Sequence, residues 1–196
     1  DIVEVARFSP DDSLLAVAGH GRVVDIYAVR PPDDGDQSSN GPKWRRVARC
    51  IGHSGTVVQL DWSADGQILR STSADYDVLH WDTRGRQVLN NQRDTAWADW
   101  TSTLGFEVMG IWAASHTGAH GMPDGATINA VHRSPCKRYV VTSDDNGAVR
   151  LLNYPCVVAD APAQICTGHA SFVTGARWSA DGQYVVTSGG HDGTLF

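Results

Sequence analysis

The sequence predicts an all-β fold built from serially repeated antiparallel units, on three observations. The hexapeptide Trp62–Gln67, WSADGQ, recurs 116 positions later as Trp178–Gln183. The flanks of the two copies agree as well, from Gly52-His53 to Asp82 and from Gly168-His169 to Phe196. Within them, period-two runs of β-branched and aromatic residues alternate with Asp-Gly or Asn-Gly signals, the mark of hairpins, and helical periodicity is sustained nowhere.

Two weaker copies extend the pattern. Phe8–Tyr27 aligns with Trp62–Trp81 at an offset of 54, and His132–Asn153 aligns at an offset of 71. Without two insertions the unit is about 40 to 45 residues, the period of a WD40 propeller blade. Four blade units are expected in order: 1–51, 52–112 with a tryptophan-rich insertion, 127–167, and a truncated 168–196. In the second unit the run Val57, Leu60, Trp62 makes the first strand, and Ser63-x-Asp65-Gly66 reverses it into a run holding Ile68 and Leu69. A polar turn with Asp75 then leads to a third run ending at Trp81. Asp192 repeats Asp75 and calls for a tryptophan at about position 198, while Asp1 falls inside a first strand. Propellers close on typically 4 to 8 blades, so about four blades of a larger, seven-bladed propeller are expected, the remaining blades lying in the same parent chain.

The insertions differ in kind. Pro31–Lys43, rich in Pro, Gly, Asp and Ser, reads as a mobile loop between the third and fourth strands of the first blade. Thr95–Trp112 holds three tryptophans with Leu104, Phe106, Val108 and Ile111, too apolar for a solvated loop; Phe106, Val108 and Gly110 alternate, which predicts a strand packed on the blades. In the loop that follows, His116 and His120 lack a helix to align them and a third ligand, so no metal site is expected.

Composition narrows the function classes. With 41% apolar and 19% charged residues and no long apolar run, the chain is expected to be globular with no membrane span, and the N-terminus carries no secretory signal. Cys50, Cys136, Cys156 and Cys166 form no C-x-x-C pair and are expected to be reduced, mostly buried thiols of an intracellular protein. Sixteen basic against 22 acidic residues give a net charge of −6, which disfavours nucleic acid. Lys43, Arg45, Arg46 and Arg49 form a candidate basic patch, whose plainer reading is the solvated side of an outer strand.

The His, Ser, Asp and Trp positions have a structural reading. In WD40 blades such residues hydrogen-bond in series, and His53, Ser71 (or Ser73), Asp75 and Trp81 occupy these places in the second unit, as His169, Ser188 (or Thr187) and Asp192 do in the fourth. Ser, His and Asp also suggest a nucleophile, base and orienter. The recurrence of the set in two blades argues against that, so no catalytic residue and no cofactor are expected.

Several segments carry a family resemblance. Trp97-x-x-Trp100-Thr101, Leu104-Gly105, Gly110-Ile111-Trp112, Ile128–Val131, Asp144-Asp145 and Tyr154-Pro155-Cys156 resemble the second propeller of the echinoderm microtubule-associated protein-like family. Ser102 departs from it, standing where many relatives have Cys, and the Pro31–Lys43 loop is not one of its hallmarks. The resemblance implies a non-catalytic scaffold in a tandem pair of propellers, with tubulin or microtubule-associated proteins as partners. It also implies a place in the cytoplasm and cytoskeleton, including the axoneme of cilia or flagella. The alternative is a WD40 adaptor that binds a protein or peptide unrelated to tubulin.

Overall fold

A computed structural model describes residues 2–30, 43–112, 127–159 and 161–196. Residues 31–42 of the expected mobile loop, and His116 and His120, lie outside them. The chain divides into two units, Asp1–Asp99 and Trp100–Phe196. In the first, β1 (Val3–Phe8), β2 (Leu14–Gly19), β3 (Val23–Arg30) and β4 (Lys43–Ile51) form one antiparallel sheet in sequence order. β5 (Val57–Trp62), β6 (Ile68–Ser73) and β7 (Val78–Asp82) form the next, with β5 packed on β1 and β2. In the second unit β8 (Ile128–Arg133), β9 (Tyr139–Asp144), β10 (Ala148–Asn153) and β11 (Ala163–Thr167) form a four-stranded sheet. β12 (Val173–Trp178) and β13 (Val185–Gly189) pair beside it, with β12 packed on β8 and β9. Among the described residues no helix is long and apolar enough to cross a membrane.

The turn after each first strand explains the repeated hexapeptide. Ser9, Ser63 and Ser179 donate to Asp11, Asp65 and Asp181 at 2.5–2.6 Å, and each hydroxyl accepts the amide five residues on, at 2.9–3.0 Å. These bonds hold the three carboxyls below the ordinary range, Asp11 down to about 2. The next position is left-handed in every copy: Gly66 and Gly182 at φ 67° and 68°, but Asp12 and Lys137 at 58° and 57°. In the third copy Cys136 replaces the Asp, its sulfur 3.3 Å from the Ser134 hydroxyl. That bond, with help from Arg138, lowers the thiol to about 7.

A second regularity has no sequence signature. All four first hairpins break register at one place, between Val3 and Val5, Val57 and Gln59, Ile128 and Ala130, and Val173 and Gly175. Such a bulge bends the first strand and increases its twist.

Apolar residues alternate into the space between sheets. In the first unit Ala16, Val24, Ile26, Val57, Leu60, Leu69 and Trp81 are at most 1% exposed; in the second, Trp100, Val108, Val131, Val140, Val141, Val173 and Ala176 fill the same role. Burying a Val- or Leu-sized side chain stabilises by roughly 1.5–3 kcal/mol, so these layers dominate the fold.

Candidate functional site

The residues singled out for hydrogen bonding assemble around hydroxyls in the middle strands. His53 enters just before β5, and its Nε2 lies 2.6 Å from the Ser71 Oγ on β6. The Trp81 indole on β7 donates to the same oxygen at 2.7 Å. Ser71 is fully enclosed, so its hydroxyl spends both roles inside the blade. Burial holds the His53 imidazole below its ordinary pKa, with the Asp77 charge opposing. Asp75 does not reach His53: its carboxylate lies against Gly55 and accepts, with Asp77, from the Ser54 hydroxyl at 3.2 and 2.6 Å. The turn therefore anchors the residue after His53 instead of the imidazole.

In the fourth blade the hydroxyl is Thr187, not Ser188. His169 Nε2 meets Thr187 Oγ1 at 2.9 Å, and Nδ1 faces Thr194 Oγ1 at 2.9 Å and Asp192 at 3.3 Å. Asp192 also accepts the Ala170 amide at 3.0 Å. Ser188 pairs with Thr174 across the hairpin at 3.0 Å, because neighbouring strand residues face opposite sides. The offset of 116 that maps Trp62 onto Trp178 also maps Ser71 onto Thr187, a signal present in the sequence.

The tryptophan-rich insertion covers a charged row. Asp61, Arg70 and His80 lie side by side across β5, β6 and β7. Arg70 pairs with Asp61 at 2.6 Å, the two side chains being 3% and 1% exposed. Trp97 lies over the guanidinium at 4.3 Å and beside His80 at 5.8 Å. Its segment is fixed by backbone bonds of 2.7 Å from Ala64 to Ala96 and 2.9 Å from Ala98 to Trp62. Burial, reinforced by Arg70, pushes His80 down to about 4.

In the second unit Trp100 donates to the Ser102 carbonyl at 2.8 Å and its ring lies 6.1 Å from that of Tyr154. Arg133 stacks over Tyr154 at 5.3 Å. The alternation of Phe106, Val108 and Gly110 does not make a strand: Phe106–Ile111 is a 3₁₀ helix. Gly105, at φ 145°, turns the chain into it, and a three-residue turn puts Val108 and Ile111 on one buried side. Gly110 donates to Cys156 at 2.7 Å, and Cys156 donates to Glu107 at 2.6 Å. A Cβ on Gly110 would collide with the Val158 carbonyl oxygen. Trp112 closes the segment on the Thr103 carbonyl at 2.9 Å.

On β4 the basic patch is partly neutralised. Asp25 takes Arg49 through both oxygens at 2.7 and 2.8 Å and Arg46 at 3.6 Å, whereas Arg45 is exposed; the Lys43 side chain is outside the described set. All four cysteines are free, but only Cys50 and Cys156 are buried, against the expectation of mostly buried thiols. Cys136 and Cys166 are exposed, the first because it serves a surface turn.

Comparison with known proteins gives the chain its relatives. A family model described as the echinoderm microtubule-associated protein second beta-propeller matches residues 1–196. The chain is 40% identical, over 99% of its length, to human echinoderm microtubule-associated protein-like 3. It is 38% identical over 98% to human echinoderm microtubule-associated protein-like 1, and 35% over 97% to human echinoderm microtubule-associated protein-like 4. It spans 20%, 22% and 18% of their respective lengths. With its propeller sheets and its tryptophan-rich insertion seated on the blades, the chain belongs to the echinoderm microtubule-associated protein-like family, in the second β-propeller.

Proposed function

We propose that this chain is a non-catalytic scaffold section of a microtubule-associated protein, with tubulin or other microtubule-bound proteins as its partners. One observation carries the reading: the family match runs the whole length of the chain, and the relatives bear microtubule association in their names. The chemistry agrees, since the His–hydroxyl sets recur in two blades and Ser71 is enclosed and already holds an indole, leaving no reachable nucleophile in that set. Cytoskeletal location follows, and the axoneme of cilia or flagella is its narrower form.

The test is co-pelleting of the tandem propeller region with stabilised microtubules, without any upstream basic segment, at low and at physiological salt. Pelleting at physiological salt is the expected result. Its absence would move the region to the class of protein- or peptide-binding adaptors. Fluorescence imaging of the tagged protein in ciliated cells checks the narrower location, which requires signal along the axoneme.

A further inference from the structure

We propose that the outer edge of β4 docks an extended, carboxylate-rich polypeptide, which adds a strand there between arginines on both of its faces. This goes beyond the microtubule reading and does not require it.

β4 ends its sheet, so among the described residues one of its edges has no strand partner. Trp44, Arg45, Arg46 and Val47 are four successive exposed residues, Trp44 at 47%, with its ring 6.2 Å from that of Phe8, and Val47 at 39%, so both faces of this half reach solvent. The register slips here: Ala48 opposes Ile26 while Arg46 opposes Tyr27, which leaves Val47 as the extra residue. The slip turns Arg46 onto the face of Arg49, where both reach Asp25. Arg45 consequently belongs to the other face, that of Ala48. On that side sits the turn after β7. A Cβ on Gly85 would lie 3.2 Å from the Ala48 Cβ and 3.0 Å from the Arg49 carbonyl oxygen, which brings Arg84 and Arg86 alongside the strand.

Among the described residues, arginines 45, 46, 49, 84 and 86 thus surround one strand edge against the carboxylates of Asp25 and Asp82, on a chain whose net charge is −6. The local sign opposes the overall one. An open edge offers main-chain donors and acceptors to any extended chain, and flanking side chains choose which. Guanidinium groups choose carboxylates, which they bind bidentately, as Arg49 binds Asp25. With arginines on both faces, the fitting strand is acidic at consecutive residues rather than at alternate ones. A nucleic acid has no backbone able to extend the ladder. Charge on an edge also guards against unwanted pairing, a role that predicts no acidic ligand.

The test is fluorescence anisotropy of the full-length protein with labelled oligoglutamate, oligoglutamine and oligothymidylate, beside hydrogen exchange of β4. Oligoglutamate should bind, oligoglutamine should not, and binding should slow exchange at residues 44–47. Neither Arg45 nor Arg84 is held by a carboxylate among the described residues, so the Arg45→Glu/Arg84→Glu protein should keep its circular dichroism and bind about tenfold more weakly, roughly 1.4 kcal/mol. Unchanged affinity in a folded double variant, oligothymidylate bound as tightly as oligoglutamate, or unaltered exchange at 44–47 would each overturn the proposal.

Discussion

Ser71 holds His53 and Trp81 at once, so removing one oxygen leaves two buried polar groups without a partner. Ser71→Ala should lower stability by about 1–3 kcal/mol, read from urea unfolding. Thr187→Ala should cost more than Ser188→Ala, since only Thr187 meets the histidine; equal losses would sink the assignment. His80 supplies the pH prediction. Its folded pKa, about 4, lies below the ordinary 6.5, so its contribution is complete above pH 6.5 and is lost as the pH falls toward 4. His80→Gln should flatten the stability profile across that window, and an unchanged slope would show that other groups set it. At this scale the residue types were legible and the partners only partly so. Asp75 and Asp192 occupy the same turn, yet only Asp192 approaches its histidine, because Thr194 brings a second hydroxyl where the second blade has Asp77.

Elements are held by close backbone approach and by cross-strand charge. The 3₁₀ helix meets the segment after Tyr154 where Gly110 leaves no room for a side chain. Gly110→Ala should therefore destabilise by about 1–3 kcal/mol, while Met109→Ala, at an exposed position, should change thermal stability little. Across β5, β6 and β7, Arg70→Ala would take the guanidinium away from the buried Asp61 carboxylate, at a cost of about 3–5 kcal/mol. Replacing both partners by apolar residues, Asp61→Leu with Arg70→Met, should recover much of that loss in denaturation experiments. Alternating apolar letters predicted a strand at Phe106–Gly110; a period of two over five residues is too short to exclude a three-residue turn, and Gly105 decided between them.

For the molecule as a whole, net charge governs long-range encounter. At −6 this section adds no long-range attraction for a negatively charged surface, so whatever it contributes to microtubule co-pelleting should not weaken between low and physiological salt. Oligoglutamate binding at β4 should weaken over the same range, because it rests on local arginines. Opposite salt responses would separate the two surfaces; a parallel decline in both would assign them to one patch.

The sequence alone determined the repeat and the all-β class, because these are written in spacing, Trp62 against Trp178 and the Asp-Gly turns, while motifs such as the tryptophans at 97, 100 and 112 carried the resemblance to the family. It marked the Asp-Gly reversals but not the part played by the serine, whose hydroxyl bonds became visible only in three dimensions. Tertiary structure alone decided which hydroxyl meets which histidine, which arginine is already paired, and that Trp97 closes over Arg70. Those outcomes depend on register, bulges and one-residue shifts, and a shift of one residue along a strand sends a side chain to the opposite face.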